Sequence, residues 1–96
     1  METLDTIMND LRQLKPELST RFFVDKIGLF GSITRNDFND NSDIDVIVDF
    51  NQPVGVEFID LADFLENKFK RKVDLVSRKG IKDNFFQEIK NEIKYV

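Results

Sequence analysis

Asp43 and Asp45 are separated by one residue within a stretch, Asp43 to Phe50, that alternates and is rich in Ile and Val. In a strand, side chains two apart point to the same face. Both carboxylates therefore project together, while Ile44 and Val46 face the opposite layer. Asp74 lies in another apolar run, Val73 to Ser77, flanked by Val73 and Leu75. If the two strands are neighbours in register, Asp74 joins the pair. Such a gathering is costly, because two like charges about 4 Å apart repel by roughly 4 kcal/mol at an effective dielectric near 20. Three such pairs compete with the roughly 5–15 kcal/mol that holds an ordinary domain together. The chain can protonate one carboxylate, splay them apart, or bind cations between them. Two magnesium ions bridged by a shared carboxylate suit an in-line phosphoryl displacement, one activating the incoming hydroxyl and the other holding a triphosphate and its leaving pyrophosphate. The bland alternative is an Asp-X-Asp pair on a solvated strand edge, with Asp74 a solvated aspartate beside another.

Gly31 and Ser32, upstream of the pair, end one apolar run and open the next element. A glycine there lets backbone approach a phosphate closely, and free N–H groups at a helix start attract an anion. Ser32 can donate its hydroxyl to a phosphate or simply cap the helix. Arg35, one turn on, can clamp phosphate oxygens or pair with Asp37 at the surface.

The elements that must position these residues are legible from periodicity. Leu4, Ile7, Leu11 and Leu14 recur at helical spacing. Pro16 interrupts them, and a second short helix is expected from about Pro16 to Phe23. Lys26 to Phe30 reads as a buried strand ending at Gly31. Ser32 to Arg35 forms a helical turn, Asn36 to Ser42 a polar loop, and Asp43 to Phe50 the second strand. Phe58, Leu61, Ala62, Leu65 and Phe69 mark a helix with Lys70, Arg71 and Lys72 at its C-terminal end, where positive charge is favoured. Val73 to Ser77 is the third strand. Phe85, Phe86, Ile89, Ile93 and Val96 give a last amphipathic helix.

Composition bounds the chemistry. A chain of 96 residues, 41% hydrophobic, is expected to form a single domain over residues 1–96. Its net charge of -4 makes nucleic acid a poor partner. The sequence holds no cysteine and no histidine, which excludes disulfides and thiolate sites, argues against zinc and leaves hard cations on oxygen ligands. The absence of cysteine is compatible with a cytoplasmic location. The start, Met1-Glu2-Thr3-Leu4-Asp5, lacks the basic and apolar regions of a signal peptide, and no run approaches the roughly 18 apolar residues of a membrane span.

The stretch Gly31-Ser32-Ile33-Thr34-Arg35, followed by Ser42-Asp43-Ile44-Asp45-Val46-Ile47-Val48, resembles the signature of the polymerase-beta nucleotidyltransferase superfamily. The short length, Lys72-Val73-Asp74-Leu75-Val76 and the closing helix resemble in particular the minimal nucleotidyltransferases of the MNT antitoxin group. One departure is Asn36, where the family often has glycine; asparagine tolerates the left-handed backbone better than most residues. The resemblance implies an α/β (α+β) fold, a small mixed sheet flanked by helices, with Asp43, Asp45 and Asp74 as catalytic metal ligands for two magnesium ions. It implies nucleotide contacts from Gly31, Ser32, Arg35 and Ser42, with ATP as substrate. It also implies a HEPN-type toxin as partner, neutralised by transfer of AMP to one of its tyrosines.

Two other readings stand beside that one. A binding module could keep the fold and neutralise its partner by occlusion, though a pure binder gains nothing from clustered unpaired charge. A transferase acting on a small molecule such as an aminoglycoside would need an acceptor domain this chain lacks. Lys79 and Lys82 are read as solvated rather than facing a triphosphate, and Tyr95 as a surface residue rather than an acceptor. An apolar patch left exposed on so small a domain would be covered by the toxin or by a second copy.

Overall fold

The computed structural model describes residues 3–96; Met1 and Glu2, which begin the stretch read as carrying no leader, lie outside the described residues. Along the chain run α1 (Leu4–Phe22), β1 (Val24–Phe30), α2 (Ser32–Arg35), β2 (Ile44–Phe50), α3 (Val56–Phe69), β3 (Val73–Ser77), α4 (Asp83–Ile89) and β4 (Lys94–Tyr95). The strands form one sheet in the order β3-β2-β1-β4. β1 is antiparallel to both β2 and β4, whereas β2 and β3 are parallel, with α3 as the crossover. This is the small mixed sheet flanked by helices expected from the sequence.

Strand alternation divides the interior into two layers. Ile27 and Leu29 of β1, Ile44, Val46 and Val48 of β2, and Val73 of β3 pack with Ile7, Leu11, Leu18 and Phe22 of α1 and Leu61, Leu65 and Phe69 of α3. The intervening residues Phe30 and Ile47 pack instead with Ile89, alongside Val76, Ile81, Phe86 and Ile93. Asp45 and Asp74 share the parity of this second set, so they lie on the α4 side of the sheet.

Two expectations are corrected. Pro16 does not divide the first helix, since α1 continues through it to Phe22. Pro16 is exposed, and buried residues sit on the same helix face before it (Ile7, Leu11) and after it (Leu18, Phe22). The hydrogen bond that proline forfeits therefore falls on the solvent side, where water can satisfy the carbonyl, and packing of the opposite face carries the helix through. At its N-terminus, Thr3 and Thr6 form a reciprocal capping box.

The final helix, expected to reach Ile93 and Val96, ends at Ile89. The chain then turns, and Lys94–Tyr95 pairs with Leu29 and Gly28 on the free edge of β1. Gly28 makes room for this return: a Cβ there would lie 3.0 Å from both Ile93 Cγ2 and Tyr95 Cδ1. Val96 N–H donates to Ile27 O at 3.0 Å, and Lys15 Nζ donates to Val96 O at 3.1 Å, tying the end of the chain to β1 and α1. No helix among the described residues is long and apolar enough to cross a membrane.

Candidate active site

β1, β2 and β3 present one end of the sheet together, and the acids collect there. The parallel register of β2 and β3 sets Asp45 beside Asp74, and the antiparallel register of β1 and β2 sets Phe30 beside Asp45. Gly31, the next residue, turns with φ 78° and ψ −149°, a conformation essentially confined to glycine. A Cβ on Gly31 would stand 2.0 Å from Oδ2 of Asp45, so the turn and the carboxylate fit only because the side chain is absent. Asp43 lies one residue before β2, not within it as the alternation suggested, and acts on Asp45 through its charge.

Burial, then the charges of Asp74 and Asp43, pushes the Asp45 carboxyl from 3.8 up to about 6. Arg35 opposes this rise and Glu92 adds to it. Burial and two like charges both disfavour the ionised form, which a nearby cation would favour.

Gly31, Arg35, Asp45 and Asp74 line a cleft of about 410 Å³, closed on the α4 side by Phe30, Phe85, Glu88, Ile89 and Glu92. Ser32 opens α2 as its first residue. The cap position is Gly31, so the capping role considered for Ser32 does not apply. With four residues, α2 offers N–H groups at its start and almost no macrodipole. Asn36 adopts the left-handed conformation expected of it, φ 67°. Arg35 is half exposed; it faces Asp37 at 3.7 Å and Glu92 at 3.2 Å.

Ser42 is not among the residues that line the cleft. Its hydroxyl accepts the Asn39 N–H at 3.1 Å and its own N–H donates to Asn39 O at 3.0 Å, closing the loop that delivers Asp43. Lys79 lines a different hollow, of about 300 Å³, at the opposite end of β2 and β3. Tyr95 sits on β4, 46% exposed.

Two residues here were not singled out from the sequence. Arg71, read only as part of a basic helix end, donates from Nη1 to Asn39 O at 2.8 Å and Ser42 O at 2.9 Å, with its guanidinium 4.5 Å from the Phe38 ring. Glu92 accepts the Gly31 N–H at 2.9 Å in addition to its ion pair with Arg35. No local signal marked Glu92, because polar residues between Ile89 and Ile93 also suit a continuing amphipathic helix.

The donor set suits magnesium: carboxylate oxygens alone, one of them raised in pKa by its neighbours, beside a cradle that a single Cβ would fill. Among the described residues no three acidic groups are already gathered into a metal-holding cage. Asp45 and Asp74 share one end of the sheet as separate carboxylates.

Residues 11–96 match the nucleotidyltransferase domain family. A protein adenylyltransferase MntA from Thermococcus cleftensis is 38% identical over 97 residues, covering 100% of this chain and 98% of that protein. A crystal structure of a toxin–antitoxin with AMP-PNP superposes with a TM-score of 0.76 at 25% identity, covering 92% of this chain and 70% of the other. A tri-AMPylated Shewanella oneidensis HEPN toxin in complex with MNT antitoxin gives a likeness of fold, with a TM-score of 0.71 at 21% identity over 97% of this chain and 71% of the other.

Proposed function

The chain belongs to the nucleotidyltransferase domain family, and we propose that it is an antitoxin that transfers AMP from ATP to a tyrosine hydroxyl of a HEPN-type toxin. The observation that carries this reading is the register that sets Asp45 beside Asp74 and against Gly31. It gathers carboxylates and a close backbone approach at one cleft, which a binder acting by occlusion does not require. The near full-length likeness to a protein adenylyltransferase supports the reaction class. The fold neighbour in which an MNT antitoxin accompanies an AMPylated HEPN toxin supports the acceptor.

Asp43, Asp45 and Asp74 would hold two magnesium ions, which when bound supply charge neutralisation for the triphosphate and lower the pKa of the attacking hydroxyl. Gly31 lets the backbone approach the β- and γ-phosphates, while the Ser32 hydroxyl and the Arg35 guanidinium orient them. The acceptor oxygen bonds to the α-phosphorus as the bond to the bridging oxygen of the β-phosphate breaks, and pyrophosphate leaves. Asp74, the exposed member of the set, stands on the solvent side and takes the acceptor proton.

Incubation of the chain with ATP, magnesium and the toxin, followed by the intact mass of the toxin, tests the proposal. A gain of one or more AMP masses, absent with Asp43→Ala/Asp45→Ala, is expected. Tight complex formation with no mass gain would sink the transferase reading and favour occlusion.

A further inference from the structure

Glu92 comes from the segment between α4 and β4, yet its side chain reaches back 61 positions to the Gly31 turn. Oε1 accepts two donors there: the Gly31 N–H at 2.9 Å and Arg35 Nη1 at 3.2 Å. Nη1 also lies 3.5 Å from Oε2. The Glu92 side chain is 22% exposed and that of Arg35 52%. One largely enclosed carboxylate thus holds both groups assigned to the triphosphate, while the Arg35 side chain stays half exposed.

We propose that Glu92 is a positioning residue for nucleotide binding, acting through Gly31 and Arg35. The inference rests on the nucleotide-binding role given to those two residues above. Glycine is free to adopt many backbone conformations, and the bond from the Gly31 N–H to Glu92 selects the one seen here. Arg35 is a long side chain with several rotamers. An ion pair that selects one of them before ATP arrives reduces the entropy lost on binding. A carboxylate blocking the phosphate subsite would have to leave when nucleotide enters. Glu92 would then have lost both of its donors. A brace needs no such displacement.

The test compares wild type, Glu92→Ala, Glu92→Gln and Arg35→Ala, and the double variant Arg35→Ala/Glu92→Ala, for binding of magnesium AMP-PNP. Thermal unfolding of each variant verifies that it is folded. Loss of a charged hydrogen-bond partner predicts that Glu92→Ala weakens AMP-PNP by about tenfold. Glu92→Gln, which keeps an acceptor for Gly31, loses less. In the Arg35→Ala background the further effect of Glu92→Ala shrinks, because the two residues act in one chain of contacts. An unchanged or tighter affinity in both folded Glu92 variants overturns the brace, and the tighter value identifies a blocking carboxylate instead. Fully additive effects of Arg35→Ala and Glu92→Ala also overturn it. If wild type itself binds no AMP-PNP, the nucleotidyltransferase reading falls and this inference falls with it.

Discussion

Gly31 and Asp45 interlock. The missing side chain of the first is the space occupied by the carboxylate of the second, with Oδ2 2.0 Å from where a Cβ would be. The positive φ of Gly31 adds a second reason that no other residue fits. Gly31→Ala is expected to destabilise the fold by about 1–3 kcal/mol, the usual cost of overpacking, and to abolish AMP transfer by displacing Asp45. Thermal denaturation and the toxin mass assay read the two effects. Wild-type transfer by this variant would show that the interlock is dispensable.

The raised pKa of Asp45 makes the metal-free protein sensitive to pH. The folded state holds this proton up to about pH 6, whereas an ordinary Asp releases it near 3.8. Between those values the folded state binds more protons, so the contribution of Asp45 to stability falls as pH rises from about 4 to about 6 and then stays level. Asp45→Asn removes the penalty. Without metal, it is expected to match wild type near pH 4 and to exceed it above pH 6. The side chain is partly solvated, so the gain is discounted to about 1–2 kcal/mol. Melting curves in chelator across that range provide the measurement. An equal difference at every pH would contradict the assignment.

On the proposed function, magnesium competes with the same proton. Its affinity is expected to be level above pH 6, and below pH 6 to fall by up to about tenfold per pH unit. Calorimetric titration with magnesium at two pH values on either side of 6 checks this. Asp45→Asn should weaken binding and flatten the profile.

Arg71 holds the loop that carries Asp43. Removing its two carbonyl contacts by Arg71→Ala is expected to cost about 1–3 kcal/mol and to lower kcat by loosening Asp43. Arg71→Lys should recover part of the stability. Its ammonium can reach a carbonyl but lacks the planar guanidinium that stacks on Phe38. Unchanged kcat in Arg71→Ala would mean that Asp43 is placed by β2 alone.

Much of the site was legible because it depends on short-range order. The Gly31 turn follows directly on a strand, and strand parity places Asp45, although Asp43 lies one residue before that strand. What was not legible depends on pairing between distant segments. Periodicity could not distinguish a helix running to Val96 from one that stops at Ile89, because Ile93 suits either. The free edge of β1 and the space left by Gly28 decide it, and the same turn brings Glu92 to Gly31. Pro16 misled in the opposite direction, since its local penalty was outweighed by packing on the far face of α1.

By itself, the amino-acid sequence determined which groups are on offer: oxygen donors without cysteine or histidine, and a glycine at the end of an apolar run. Only the tertiary structure decided that Asp74 lies beside Asp45, that Ser42 faces its own loop, and that Glu92 and Arg71 hold the two segments of the site. The physical reason is that backbone geometry and side-chain type are properties of neighbouring residues. Register and burial belong to the assembled sheet, and it is burial and neighbouring charge that carry the Asp45 carboxyl to about 6.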